Sequence, residues 1–177
     1  MRKVIGIGET ILDIIFKNEQ PTAAKPGGST FNSMITLGRL GVNTEFISEV
    51  GRDRLGKQIK DFLAENNVKS ENVYDYDGGK TALSLAFLDE NMNADYLFYK
   101  NDAAQKLDYV MPKIEENDII VIGSFFSIND ALRENLTYLL DEAKRKKAII
   151  YYDVNFRKNR KSQVRFLMPN ILDNFDY

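Results

Sequence analysis

Two consecutive glycines, Gly27 and Gly28, stand immediately before a helical pattern that has Asn32 in its first turn. Glycines let the backbone approach a ligand closely, and the free amides at a helix start can donate to hydroxyl groups or charges. The side-chain amide of Asn32 can reach the same space. An ordinary turn, with Ser29 or Thr30 capping the helix, explains the same residues. The loop by itself therefore supports a ligand site and a simple turn equally.

A second glycine motif runs from Gly51 to Lys57 and matches the phosphate-loop pattern up to its last position. Gln58 replaces the hydroxyl residue that holds magnesium in such loops. Asp53 would also place a negative charge among amides that should face phosphate. The motif favours a charged strand-to-helix turn, and a phosphate-loop nucleotide hydrolase that uses Gly51 to Lys57 remains an alternative.

The composition limits the chemistry that the chain can perform. The sequence has no histidine and no cysteine, so a general base must be a carboxylate, a lysine or a tyrosine, and thiolate metal sites are excluded. The 24 Lys and Arg residues nearly balance 26 Asp and Glu, which gives no general attraction to nucleic acid or to an anionic membrane. We therefore expect a small-molecule ligand, and a cytoplasmic protein without a signal peptide or membrane span.

Apolar runs and amphipathic helical patterns alternate along much of the chain, which predicts parallel strand–helix–strand units. Pro21 to Gly28 reads as a loop, and the helix after it stops near Gly41. Between residues 73 and 100 the pattern changes to short, half-exposed strands that are typical of a flap. The predicted buried strands are 4–7, 119–122 and 148–152; a further strand covers 44–50 and a more exposed one covers 11–16; further helices cover 55–63 and 129–147.

Taken in order, these motifs resemble the amino-terminal signature of the ribokinase-like, or PfkB, carbohydrate kinase family. The resemblance implies a three-layer α/β/α fold with a mostly parallel central sheet and a small β lid near residues 10–17 and 73–100. The matching segments, which together cover nearly the whole chain, are Gly8-Glu9 with Asp13, Gly27-Gly28 with Asn32, Leu37-Gly38-Arg39-Leu40-Gly41, Val50-Gly51-Arg52-Asp53 with Gly56, Thr81-Ala82, Phe98 to Ala104, and Asp153-Val154-Asn155-Phe156-Arg157.

The resemblance also implies roles in sugar binding, all within a fructokinase-like or 2-keto-3-deoxygluconate-kinase-like enzyme. Asp13 would accept hydrogen bonds from sugar hydroxyls, and Phe98 would cover an apolar face of the sugar. Lys100 stands where many relatives have arginine, and Val154 replaces a usual proline. The complete set of expected sugar-binding residues is Asp13, Gly27, Gly28, Asn32, Phe98, Lys100, Asn155 and Arg157.

The second signature of the family, Asp-Thr-x-Gly-Ala-Gly-Asp, has no counterpart after Asp153. In the family its last Asp is the general base, and its glycine turn forms an anion hole for the transferred phosphoryl group. We therefore assign no catalytic residue and no metal ligand here. Residues 1–177 are expected to be the substrate-binding part of one kinase domain, truncated on the carboxyl side and inactive alone. A full-length member would use ATP and Mg2+ and pair as a homodimer through the lid; a non-catalytic sugar-binding module is a further alternative.

Overall fold

The computed structural model describes residues 2–100, 107 and 109–155, with the backbone alone described at positions 125 and 128. This part of the chain contains ten strands and three helices. Two short 3-10 turns, Phe125–Ile128 and Asp130–Leu132, precede the last helix. The strands are β1 (Val4–Ile7), β2 (Ile11–Lys17), β3 (Gln20–Gly27), β4 (Thr44–Gly51), β5 (Val68–Lys69), β6 (Val73–Tyr76), β7 (Leu83–Leu88), β8 (Ala94–Tyr99), β9 (Ile119–Gly123) and β10 (Ile149–Asp153); the helices are α1 (Ser29–Arg39), α2 (Arg54–Glu65) and α3 (Arg133–Arg145).

The central sheet has the order β10-β9-β1-β4-β5, with β6 also paired to β4, and every pairing in it is parallel. Alternate residues of β1 point to opposite faces. Val4 packs in the cluster that contains α1 and α2 residues, whereas Ile5 and Ile7 pack in the cluster that contains α3 residues. Helices therefore cover both faces, and the predicted α/β fold with a mostly parallel central sheet is confirmed.

A second sheet has the order β3-β2-β7-β8 and contains only one parallel pairing, that of β2 with β7. The loop predicted from Pro21 to Gly28 is wrong, because Gln20–Gly27 forms strand β3. Both prolines of this segment lie on β3, an edge strand of the second sheet, which is where prolines are tolerated within sheets.

The second sheet lies where the β lid was expected, but it does not include strand β6. Val73–Tyr76 pairs in parallel with β4 and so extends the central sheet instead of the second one. The half-exposed pattern of β6 resembles that of a flap strand because the strand lies at the margin of the central sheet. From residues 73–100, the second sheet takes only β7 and β8.

Strand β10 lies at one end of the central sheet, and its expected burial is wrong. Ile149 is 47% exposed and Tyr151 is 60% exposed, whereas Ile150 and Tyr152 pack against the α3 cluster. Within the described residues no strand pairs with the outer edge of β10. The last helix is also shorter than predicted, because the 3-10 turn Asp130–Leu132 occupies its first residues and the helix ends at Arg145. Among the described helices, none combines the length and the apolar character that a membrane crossing requires.

Candidate functional site

Asp13 lies on β2 in a half-buried position where neighbours from two other strands constrain its carboxylate. Ser84 of β7 is opposite Asp13 in the parallel register, and its hydroxyl donates to Asp13 Oδ1. A Cβ atom on Gly27 would lie 2.4 Å from Asp13 Oδ2, so only glycine at this position leaves the carboxylate in place. Burial raises the pKa of the Asp13 carboxyl above its ordinary value, and the hydrogen bond from Ser84 partly opposes this effect.

Helix α1 begins directly after the two glycines. Gly28 is the N-cap residue with φ of 132°, a conformation that favours glycine, and a Cβ there would lie 2.3 Å from the carbonyl oxygen of Glu9. In the described structure no side chain caps this helix start, so capping by Ser29 or Thr30 is not the role of these residues. Asn32 lies in the first turn with an exposed side chain. The start of α1 therefore presents backbone amides and the Asn32 amide at one place.

Phe98 and Lys100 lie in the same region, at the end of β8, the edge strand of the second sheet. Phe98 pairs with Ser84 across the β7–β8 ladder, next to Asp13. The ammonium group of Lys100 lies 5.1 Å from the Phe98 ring centroid and 2.5 Å from Glu9 Oε1. The contacts thus run from Asp13 through Ser84, Phe98 and Lys100 to Glu9. We refer to these residues, together with Gly27 and Gly28, as the lid ring.

Strand β10 and the turn after it reach the start of α1 from the other side. The hydroxyl of Ser29 lies 3.5 Å from Asp153 Oδ2, and the Asn155 backbone amide donates to Asp153 Oδ1 over 2.9 Å. The Asn155 side chain reaches the Ser124 hydroxyl over 3.5 Å at the end of β9. The expected site residue Arg157 lies outside the described residues.

The structure thus places Asp13, Gly27, Gly28, Phe98 and Lys100 in one connected set, with Asn32 and Asn155 at the adjoining helix start. Sequence reasoning did not assign a site role to Ser84 or Glu9. Ser84 is 71 residues from Asp13 and carries no motif signal of its own. Glu9 belongs to the first-strand motif. Its charge next to Gly8 at a strand end is the signal that could have indicated a role in the site.

The phosphate-loop alternative at Gly51 to Lys57 is wrong, because a carboxylate occupies the cradle that phosphate would need. Asp53 Oδ1 accepts from the backbone amides of Leu55 and Gly56 over 3.0 and 2.9 Å. Lys57 pairs with Asp61 over 2.6 Å on the exposed side of α2 instead of facing the loop. Within the described part of the chain, no group of three or more Asp and Glu side chains converges to hold a metal ion.

The sequence model described as pfkB family carbohydrate kinase matches residues 1–177. Among curated proteins, the chain is 26% identical to probable fructokinase-3 of Arabidopsis thaliana over 166 residues, which cover 88% of this chain and 48% of that protein. It is 27% identical to fructokinase-1 of Oryza sativa subsp. japonica over 166 residues, with 88% and 51% covered. The chain therefore spans about half the length of these relatives.

Among solved structures, fructokinase from Vibrio cholerae O395 in apo form aligns with a TM-score of 0.80 at 19% identity and covers 98% of this chain and 60% of that one. Aminoimidazole riboside kinase from Salmonella enterica, complexed with aminoimidazole riboside and an ATP analogue, aligns with a TM-score of 0.82 at 18% identity over 98% and 58% of the two chains. At these identities the alignments show the fold alone. Because the family match extends over all 177 residues, this chain belongs to the pfkB family of carbohydrate kinases.

Proposed function

We propose that the complete gene product carrying these residues transfers the γ-phosphoryl group of ATP to a sugar hydroxyl, as a kinase of the fructokinase or 2-keto-3-deoxygluconate-kinase type. The observation that carries the proposal is the lid ring, in which the half-buried Asp13 carboxylate lies against Gly27 and the Glu9 carbonyl lies against Gly28. A carboxylate that is held by neighbours from two strands is a preorganised acceptor for sugar hydroxyls.

The residues of this chain bind and orient the sugar in the proposed reaction. Asp13 accepts hydrogen bonds from hydroxyl groups, and Gly27 and Gly28 let the sugar approach the backbone. The uncapped amides at the start of α1 and the side chain of Asn32 add donors. Phe98 supplies an aromatic face, 52% exposed, against which the C–H face of a sugar can pack. Asn155 contributes from the end of β10, and Lys100 and Arg157 are the proposed cationic groups.

ATP and Mg2+ are the proposed co-substrate and metal of the complete enzyme. Solved relatives include a sugar kinase from Pyrococcus horikoshii in complex with ATP and a fructokinase from Vibrio cholerae in a fructose-, ADP- and potassium-bound form. The described residues of this chain converge on no metal-binding cluster. A cytoplasmic location is proposed for this protein; one similar protein, probable fructokinase-6 of Arabidopsis thaliana, is chloroplastic.

A sugar panel tests the proposed reaction directly. The complete gene product is incubated with ATP, Mg2+ and each of fructose, ribose, 2-keto-3-deoxygluconate and a nucleoside, and ADP release is measured with and without the sugar. We expect sugar-dependent ADP release with at least one member of the panel, and the 177-residue chain assayed separately should show none. Sugar binding by the complete product without any phosphoryl transfer would instead support a non-catalytic sugar-binding module.

The second sheet also supports a homodimer as the proposed assembly. Its edge strand β8 exposes four successive large residues, Tyr96, Leu97, Phe98 and Tyr99, by 45 to 58%. Since side chains alternate along a strand, Leu97 and Tyr99 lie on the face opposite Phe98. They pair in register with Leu85 and Leu83 of β7, so these four residues form an apolar patch on this outer face. An exposed edge with an apolar face is a surface that a second copy of the lid can cover.

A further inference from the structure

The ion pair between Glu9 and Lys100 joins the central sheet to the lid. Glu9 follows the end of β1, whereas Lys100 follows the end of β8, and the two residues are 91 positions apart in the sequence. Their charged atoms lie 2.5 Å apart, and the side chains are only 26% and 21% exposed. A partly buried ion pair is screened less by solvent and salt than a surface pair. The pair therefore holds the end of β8 against the core.

Glu9 and Phe98 together fix the position of the Lys100 ammonium group. The carboxylate of Glu9 contacts it directly, and the face of the Phe98 ring lies 5.1 Å away, within the range of a cation–π interaction. The backbone of Glu9 is in turn packed against Gly28, since a Cβ there would lie 2.3 Å from the Glu9 carbonyl oxygen. Movement of Glu9 would thus displace both the lysine and the glycine loop.

The charges of the lid ring do not favour an anionic ligand. Two carboxylates, Glu9 and Asp13, belong to the ring, and Lys100 is its one cation among the described residues. Lys25 is opposite Asp13 in the β2–β3 register, but it is exposed. To pair with Lys100, the carboxylate of a sugar acid would have to displace Glu9, and it would also meet the negative charge of Asp13. A neutral sugar has neither cost.

We propose that Glu9 is a positioning residue that holds Lys100 and the lid strand, and that the Glu9–Lys100 pair selects neutral sugars over sugar acids. This inference rests on the proposed function, because it assigns the substrate class of the same site. It places neutral ketoses such as fructose ahead of 2-keto-3-deoxygluconate. The negative charge of Glu9 is the selecting element, since it keeps the lysine from pairing with a substrate carboxylate.

The test compares the wild-type complete gene product with the Glu9→Gln variant on fructose and on 2-keto-3-deoxygluconate. Glutamine keeps the size of the side chain but frees the charge of Lys100. We expect KM for fructose to rise about tenfold with a smaller change in kcat, and kcat/KM for 2-keto-3-deoxygluconate to rise about tenfold. Glu9→Asp should restore part of the wild-type preference. Lys100→Met removes the cation. We expect this variant to bind the sugar acid no better than wild type does, and fructose no better either.

A matched control is the Lys60–Asp75 ion pair, whose charged atoms are 2.7 Å apart and whose side chains are 27% and 39% exposed. Lys60→Met should leave the ratio of the two kcat/KM values unchanged. Equal losses on both substrates in Glu9→Gln would show a purely structural role and overturn the inference. A wild-type preference for the sugar acid would overturn it too, while the kinase proposal would stand.

Calorimetric titration with each sugar separates failure of the inference from failure of the kinase proposal. If the wild-type protein phosphorylates neither sugar, the kinase proposal fails for both classes. The binding constants of wild type and Glu9→Gln then decide the inference by themselves: a shift of the variant towards the sugar acid supports it. If the variant shows no such shift, or if neither protein binds either sugar, the inference is overturned.

Discussion

Asp13 keeps a carboxylate in a half-buried position, and this costs free energy that ordinary packing would not require. Burial raises the pKa of Asp13, with the Ser84 hydroxyl opposing the rise. The stabilising contribution of a group with a raised folded-state pKa is present below its unfolded value, here 3.8, and is lost as the pH rises through the folded value. Ionised Asp13 therefore lowers the stability of the fold at neutral pH, which is expected of a residue retained for binding.

Asp13→Asn should consequently separate binding from stability. Asparagine can still accept from Ser84, but it loses the charge that strengthens hydrogen bonds from sugar hydroxyls. We expect the affinity for the sugar to fall by about 10- to 100-fold, and the free energy of unfolding at neutral pH to equal or exceed that of wild type. Calorimetric sugar titration and urea unfolding of the complete gene product measure the two quantities.

Asp95→Asn serves as the control for this experiment. Asp95 is an exposed residue on β8. It lies opposite Phe87 of β7 in the strand register, whereas Phe98 lies opposite Ser84, the neighbour of Asp13. Its replacement should change neither the affinity for the sugar nor the stability. An unchanged sugar affinity in Asp13→Asn would contradict the assigned role of Asp13.

Helix α2 and strand β7 are joined by the side chain of Asp53. Besides capping α2, Asp53 accepts from the backbone amide of Thr81 over 2.9 Å and from its hydroxyl over 2.7 Å. Thr81 lies just before β7, and its hydroxyl is 3.1 Å from the amide of Gly51. The segment that resembles a phosphate loop in sequence therefore links the central sheet to the residue just before strand β7.

Asp53→Ala should destabilise the fold by about 2 kcal/mol at neutral pH, because it removes a helix cap and leaves the Thr81 donors without their acceptor. Burial raises the pKa of Asp53, but hydrogen bonds from Gly56, Thr81 and Leu55 outweigh it, and the net shift is downward. With a lowered folded-state pKa, the stabilisation is present above 3.8 and is lost as the pH falls through the folded value.

Urea unfolding from neutral pH into the acid range checks both parts of this expectation. The stability difference between wild type and Asp53→Ala should shrink as the pH falls. Asp61→Ala is the matched control, because Asp61 makes only an exposed pair with Lys57, and its loss should cost about 0.5 kcal/mol or less. A cost for Asp53→Ala no larger than that of the control would refute the joining role of Asp53.

At the scale of the whole molecule, the second sheet is the proposed contact between two copies. In the proposed homodimer the outer face that carries Leu97 and Tyr99 is covered by a second lid. Leu97→Asp would place a charge in that contact, and we expect the dimer dissociation constant to rise about 100-fold or more. Sedimentation velocity of the complete gene product over a range of concentrations measures the shift from dimer to monomer.

Tyr138→Asp is the control for this experiment. Tyr138 is 64% exposed, but it lies on α3 and not on the second sheet. This variant should sediment like wild type. A wild-type protein that sediments as a monomer at all concentrations, or a Leu97→Asp variant that remains fully dimeric, would contradict the proposed assembly.

The local pattern of the chain was sufficient to predict most elements of the central sheet. Strands β1 and β9 are short apolar β-branched runs, β4 mixes apolar and polar residues within a short segment, and α1 and α2 show helical spacing, so the local pattern identified them. The glycine motifs also indicated the family correctly, and a close backbone approach such as that of Gly28 to the Glu9 carbonyl, with φ of 132°, favours glycine. The α/β fold class was thus readable from residue types and spacing, whereas the sugar-binding roles were implied by the family resemblance and remain proposals.

Pairing between strands that are distant in sequence could not be read in this way. Whether Val73–Tyr76 joins the central sheet or the lid depends on which neighbour offers a free edge, and local pattern is the same in both cases. Ser84 meets Asp13, and Lys100 meets Glu9, only because β2 and β7 pair in parallel and β8 returns to the end of β1. Those contacts span 71 and 91 residues, so the tertiary structure alone determines the neighbours of each charge.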